Sequence, residues 1–178
     1  LELIPKDEPA FVADICCGSG AIGLAIAAEC PELKVYATDL SREALDCTRV
    51  NAEALGLKDR VAILHGSLLE PIPTERPIDY VISNPPYIAS EVLDTLAPEV
   101  SRHEPRLALD GGADGLDIYR QLIPAAAARA RQAVLVEIGF DQGEAVSALF
   151  VEAGLHEVEV HRDLGKNERV VMGRVSPT

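Results

Sequence analysis

Residues 81–88 read VISNPPYI, and the four able to do chemistry are Asn84, Pro85, Pro86 and Tyr87. Val81, Ile82 and Ser83 have the apolar or small character of a buried strand, but a sheet ladder does not continue through two prolines. The residue before a proline is pushed toward an extended conformation, so Pro85 holds Asn84 extended. Both prolines have fixed φ and no N–H, while their carbonyls remain acceptors. The product is a rigid turn that displays one side-chain amide and backbone carbonyls. Such a turn suits a planar –NH2 group: the Asn84 side-chain oxygen accepts one proton and the Pro85 carbonyl accepts the other. The lone pair of an amide or aromatic amine is delocalised, and two acceptors on its hydrogens bias the nitrogen toward pyramidal geometry. An electrophilic methyl placed in line then completes a displacement, helped by positioning and electrostatics. No strong base is required, because the nitrogen becomes acidic once alkylated. Tyr87 can pack against the flat group. A proline pair closing a strand also makes a bare turn with no chemistry.

A second constellation lies upstream. DICCGSGAIG (14–23) contains Gly18-x-Gly20-x-x-Gly23, and Asp39 follows about 20 residues later, as a dinucleotide fingerprint asks. The loop fits NAD, S-adenosylmethionine, or a tight strand–helix turn with no ligand. Asp14 separates the first two. A pyrophosphate docks on the helix N-terminus, and a carboxylate beside it costs about 4 kcal/mol for unit charges 4 Å apart near a surface. S-adenosylmethionine has no phosphate, and its sulfonium and ammonium attract a carboxylate, so Asp14 favours it. Asp39 fits either ligand through ribose hydroxyls. Asp14 also fits a helix-dipole partner, and Asp39 a capping acid near Ser41.

These residues need a frame, and strand and helix signals alternate. Strands are expected at AFVADIC (10–16), KVYATDL (34–40), RVAILHG (60–66), IDYVISN (78–84), AVLVEIG (133–139), HEVEVHRD (156–163) and ERVVMGRV (168–175). Helices are expected at GAIGLAIAAEC (20–30), REALDCTRVNAEALG (42–56), GLDIYRQLIPAAAARAR (115–131) and DQGEAVSALFVEAG (141–154). Ser41 can cap the second helix and Gly56 suits its end; Pro124 is a local flaw in the third. Residues 85–114 read as irregular. Alternation with continuous apolar strands means an α/β fold, a parallel sheet covered on both faces. The last two strands lack a helix between them and form an antiparallel edge hairpin. Ligands in such sheets sit beyond the carboxyl ends of the strands near the switch point, at Asp14, Asp39, residues 65–68 and Asn84.

A chain of 178 residues with 48% hydrophobic and 25% charged residues fits one soluble domain. A net charge of −13 argues against a protein that grips nucleic acid through its phosphates. The four cysteines (Cys16, Cys17, Cys30, Cys47) have no C-x-x-C spacing and the four histidines are dispersed, so neither a metal site nor a disulfide framework is expected. No signal peptide is expected, and with no apolar run of about 18 residues no membrane span is expected either.

Together, SNPPY (83–87), DICCGSGAIG (14–23) and ATDLS (37–41) resemble class I S-adenosylmethionine-dependent methyltransferases that modify planar exocyclic amines, a group that includes adenine-N6 DNA and glutamine-N5 protein methyltransferases. HEPRLALDGGADGLDIYRQLI (103–123), LVEIGFDQGEAV (135–146) and RDLGKNERVVMGR (162–174) are similar to the bacterial protein-(glutamine-N5) methyltransferases, most closely the release-factor-specific PrmC/HemK family. The resemblance runs over residues 12–175. It implies a Rossmann-like class I fold: a mostly parallel seven-stranded sheet with an antiparallel edge hairpin and helices on both faces. Residues 1–178 would be one catalytic domain, with the family's helical N-terminal substrate-recognition domain outside this chain.

The implied reaction is cytoplasmic methyl transfer from S-adenosylmethionine to the glutamine amide of the Gly-Gly-Gln loop of peptide chain release factors, leaving S-adenosylhomocysteine. Carried over by position, Asn84 and Pro85 hold the amide, and Pro86 and Tyr87 shape its slot. Asp14, Cys16, Cys17, Gly18, Ser19 and Gly20 face the cofactor, Gly18 and Gly20 letting the backbone approach it. Asp39 takes the ribose hydroxyls with Leu40 beside it, and Ser67 and Leu68 border the adenine. Glu104 and Pro105 match a family signature and would frame the entrance or order the loop. The chain departs from the family at Cys16, where the first loop glycine usually stands, at Cys17, usually Thr, and at Ser67, where an acid usually stands before the adenine-contacting position. Cysteine at the first of these is common among the ribosomal protein L3 glutamine methyltransferases, which leaves that substrate as the alternative, with adenine in nucleic acid behind it. An NAD-dependent oxidoreductase and a non-catalytic binding module are the remaining readings.

Overall fold

The computed structural model describes residues 4–93, 95 and 105–176. Its strands are β1 (Ala10–Ile15), β2 (Leu33–Asp39), β3 (Val61–His65), β4 (Ile78–Ser83), β5 (Ala130–Glu137), β6 (His156–Arg162) and β7 (Glu168–Arg174). Its α-helices are α1 (Ala21–Glu29), α2 (Arg42–Ala54), α3 (Ser90–Leu93), α4 (Asp117–Arg129) and α5 (Gly143–Glu152), with a 3-10 turn at Arg106–Ala108. One seven-stranded sheet runs in the order β3-β2-β1-β4-β5-β7-β6. β1 to β5 are parallel, and β7 is antiparallel to both β5 and β6. This is the expected mostly parallel sheet with an antiparallel edge hairpin, and the later strand of the hairpin lies inside.

Alternate residues of the strands enter opposite cores, as the period of two requires. Val12, Val35, Ala37 and Ile82 pack with Leu24, Ile26 and Ala27 of α1 and Leu45 and Ala52 of α2. Ala13, Ile15, Val81 and Val134 pack with Tyr119, Leu122 and Ile123 of α4 and Val146 and Phe150 of α5. Each fully buried aliphatic or aromatic chain contributes about 1.5–3 kcal/mol, so strands covered on both faces read as continuous apolar runs.

Ser41 caps α2 through Ala44 N–H to Oγ at 3.2 Å, and Gly56 follows the helix with φ +70, as expected. β5 begins at Ala130, ahead of the apolar run, because Ala130 leaves α4 directly in an extended conformation and pairs with Ile78. Pro124 lies inside α4, which runs unbroken from Asp117 to Arg129. The segment expected to be irregular is partly ordered, holding α3, the 3-10 turn and an isolated parallel bridge between Ile88 and Asp110. Glu104 lies outside the described residues, and Pro105 is exposed just before the 3-10 turn.

Successive strands step one way across the sheet from β1 to β3 and the other way from β4 to β5, and at this switch between β1 and β4 Ile15 pairs with Ser83. The glycine loop after β1 and the proline turn after β4 therefore leave adjacent strands on the same sheet edge, at the switch point where open α/β sheets bind ligands.

Candidate active site

The glycine loop is held almost entirely by its own chain. Cys16 takes φ +56, the left-handed conformation that suits the glycine usual at this position. Cys17 N–H donates to the Thr38 carbonyl at 3.0 Å and Gly20 N–H to the Cys17 carbonyl at 2.8 Å. Gly18 N–H donates to Asp39 Oδ2 at 2.9 Å, and Thr48 Oγ1 donates to the Gly18 carbonyl at 2.8 Å. Asn51 Nδ2 reaches the Ser19 carbonyl at 3.0 Å. Four loop donors, on Cys17, Gly18, Gly20 and Gly23, are thus spent inside the protein, which leaves little of the N–H cradle that a pyrophosphate needs.

Asp14 has a partner inside the protein. It is 1% exposed, and its Oδ2 accepts the Gly23 N–H at 2.8 Å. Gly23 is the third residue of α1, whose first N–H groups have no intrahelical partner. Gly20 has no side chain to cap them, so a carboxylate from β1 does so from below. A Cβ on residue 23 would stand 2.7 Å from that oxygen, which is why this position is glycine. Asp14 therefore supports the loop through Oδ2, while Oδ1 makes no hydrogen bond among the described residues.

Burial, opposed by the Gly23 hydrogen bond and aided by Asp39, raises the Asp14 pKa to about 7, from 3.8. Between those values the unfolded chain releases a proton that the folded chain keeps, so stability falls as pH rises and the loss is complete above about 7. Asp14→Asn keeps an oxygen for Gly23 without the charge. It is expected to melt several degrees above the wild type at pH 8, on the order of 2 kcal/mol. Thermal melts from pH 5 to 8 should show that margin shrinking toward acid; a constant margin would mean Asp14 is ionised in the folded protein.

Asp39 ends β2, half-buried. Each carboxylate oxygen takes one backbone N–H, from Gly18 and, at 2.8 Å, from Ser41. A carboxylate has about four lone-pair sites, so acceptor capacity remains for two neighbouring hydroxyls. Leu40 beside it is 52% exposed, an apolar surface next to the loop. Ser67 and Leu68 follow β3, half-buried; Leu68 takes φ +46 and its carbonyl accepts from Thr38 Oγ1 at 2.8 Å. Burial above all pushes the Cys16 and Cys17 thiols up to about 12, so both are neutral and neither is a nucleophile at pH 7.

On the β4 side, Ser83 Oγ donates to the Ile15 carbonyl at 2.7 Å, tying the two strand ends together. Asn84 is exposed, Pro85 buried, and Pro86 and Tyr87 half-buried. The Asn84 side chain makes no hydrogen bond among the described residues. The structure thus brings Asn84 and Pro85 to the rim beside the loop that carries Cys16 to Gly20.

Three groups that the sequence reading did not single out hold this turn. Ile88 N–H donates to the Leu109 carbonyl at 3.0 Å and Gly111 N–H to the Ile88 carbonyl at 2.8 Å. Asp110 Oδ1 accepts from Ser90 Oγ at 2.6 Å and from Gly112 N–H at 3.0 Å, and Oδ2 from Arg106 Nε at 3.0 Å. Gln142 Nε2 donates to the carbonyls of Tyr87 at 3.0 Å and Gly115 at 3.3 Å. Gly111 packs so closely on the turn that a Cβ there would stand 2.8 Å from Tyr87 Cα. The string DGGADG (110–115) was the available signal, and it marks a close backbone approach.

Among the described residues no group of His, Cys, Asp and Glu is arranged to hold a metal, and no helix is long and apolar enough to cross a membrane.

The sequence model described as "Methyltransferase small domain" matches residues 1–112. A protein of Caulobacter vibrioides named "Release factor glutamine methyltransferase" is 47% identical over 179 residues, covering 99% of this chain and 62% of that protein. One of the same name from Clostridium acetobutylicum is 38% identical, covering 97% and 61%. The chain thus spans about three-fifths of the length of these relatives. Among solved structures, the hMettl16 catalytic domain in complex with an RNA hairpin superimposes with a TM-score of 0.74 at 17% identity, covering 93% of this chain and 63% of that one. A methyltransferase from Pyrococcus furiosus superimposes with a TM-score of 0.69 at 15% identity, covering 96% and 77%. These likenesses are of fold, and that fold is the class I methyltransferase sheet.

Proposed function

Because the chain belongs to the methyltransferase small domain family, we propose that it carries the catalytic site of a protein-(glutamine-N5) methyltransferase whose substrate is the Gly-Gly-Gln glutamine of a peptide chain release factor. The observation that carries the reading is the exposed, unpartnered Asn84 amide on a proline-stiffened turn, adjacent to a glycine loop whose donors are already used.

S-adenosylmethionine fits the loop side of the site and supplies, when bound, an electrophilic methyl on a sulfonium. Asp39 has the lone pairs for its ribose hydroxyls, Leu40 and Leu68 offer apolar surface to its adenine, and residues 16–20 leave a small-side-chain approach. Asp14 acts on this site by fixing the loop.

On the other side, the Asn84 side-chain oxygen and the Pro85 carbonyl accept the two hydrogens of the substrate amide. Tyr87 and Pro86 wall the slot. Held this way, the amide nitrogen is aimed and its delocalisation reduced, and its proton leaves to solvent after transfer. The names of the relatives favour a release factor over ribosomal protein L3. The charge of −13 speaks against stable nucleic-acid binding. We place the activity in the cytoplasm, where release factors meet the ribosome.

Mass spectrometry of a class I release factor incubated with this chain and S-adenosylmethionine tests the reading. One methyl on the Gly-Gly-Gln glutamine is expected. A methyl on ribosomal protein L3 instead would change the substrate, and no methyl on either would overturn the reading.

A further inference from the structure

We propose that Gln142 is a positioning residue for the amide-binding turn, setting Asn84 and Pro85 for transfer by holding the Tyr87 carbonyl; this rests on the methyltransferase reading above. Gln142 occupies the N-cap position of α5 but makes no side-chain cap there. Ser, Thr, Asp or Asn at that position would bond their own helix. The longer Gln142 side chain turns away and uses both donors and one acceptor elsewhere. Its Nε2 donates to Tyr87 and Gly115, and its Oε1 accepts the Gly139 N–H at 2.9 Å. Its two donor contacts reach residues 55 and 27 positions away in sequence.

The chemistry of the turn explains why such a residue is required. Pro85 and Pro86 have no N–H, so the middle of the turn has no donors with which to anchor itself. Its fixing falls to flanking groups, the Ile88 N–H on the Leu109 carbonyl and the Tyr87 carbonyl that takes Gln142 Nε2. Taking the Tyr87 carbonyl also leaves the Asn84 oxygen and the Pro85 carbonyl as the acceptor pair for the substrate. Through Gly139 the same carboxamide ties the turn to the end of β5, and through Gly115 to the segment that enters α4.

The test compares the full 178-residue chain with its Gln142→Ala and Gln142→Glu variants, with single-turnover methyl transfer to a release factor and cofactor Kd by calorimetry. Both variants are expected to lose about 10- to 100-fold in rate with cofactor Kd within threefold of the wild type. A protonated Glu regains one O–H donor for the Tyr87 carbonyl. The rate of Gln142→Glu relative to the wild type is therefore expected to rise as pH falls from 8 to 5.5, while that of Gln142→Ala stays flat. Rates equal to the wild type, or a loss that follows cofactor affinity, would overturn the assignment.

If the wild type itself transfers no methyl, the functional reading fails and NMR decides the positioning role alone. Gln142→Ala is then expected to move the amide resonances of Tyr87 and Ile88 and leave those of Gly18 and Gly20 in place. Unmoved Tyr87 and Ile88 resonances would overturn it.

Discussion

An Asn84→Ala variant is expected to lose methyl transfer by about 10²–10³-fold, the scale seen when one preorganised hydrogen-bonding group is removed from a reacting centre. Its cofactor Kd should stay within a few-fold of the wild type. The separation follows from placement. Asn84 is exposed and its side chain makes no hydrogen bond among the described residues, so its loss leaves no buried group unpaired. The backbone of the turn is held independently, by Gln142 on the Tyr87 carbonyl and by the Ile88 pairing with Leu109 and Gly111. Melting should therefore shift little. Single-turnover rates, calorimetry and melts on one preparation check all three statements. Transfer near the wild-type rate would remove Asn84 from the reacting centre.

Asp39→Ala should act on the opposite side of the cleft. Two backbone N–H groups lose a carboxylate partner at once, Gly18 in the loop and Ser41 at the start of α2. Hydrogen bonds to charged groups are worth about 1.5–3 kcal/mol each, and the ribose hydroxyls lose the same acceptor. Cofactor Kd is expected to rise about 100-fold or more, with the rate at saturating cofactor largely kept. Asp39→Asn retains one oxygen and should fall between the two. Calorimetric titration decides, and an unchanged Kd in Asp39→Ala would take Asp39 out of the cofactor site.

The parallel sheet was legible because the inner strands β1, β2, β4 and β5 are mostly buried on both faces and carry apolar runs, and the edge strand β3 repeats the pattern in VAIL although only Val61 is buried there. The glycine loop and the proline turn were legible because their backbone demands are local: Gly and Pro announce them within ten residues. Asp14 shows where local reading stops. A carboxylate at a strand end looks the same in sequence whether or not it also caps a helix from beneath, and only the structure shows the Gly23 contact. The supports of the turn were hidden for another reason. Gln142, Asp110 and Gly111 act across tens of residues, and no periodicity connects a polar side chain to a distant carbonyl. The early start of β5 was hidden because Arg131 and Gln132 are exposed at the strand's first residues and carry no apolar signal.

The position of β7 between β5 and β6 has a consequence for biosynthesis. A ribosome delivers β1 to β5 first, yet the order of strands in space is not the order of their emergence. Until residues 168–174 have left the exit tunnel, β5 keeps an unpaired edge. An apolar strand in that state is a template for wrong pairing. The loop after β5 waits on the same event, because Ile138 N–H is received by the Arg169 carbonyl at 2.9 Å. The nascent protein therefore carries its glycine loop and its proline turn well before the sheet that aligns them is closed, and a cell making it has reason to shield that edge during the interval.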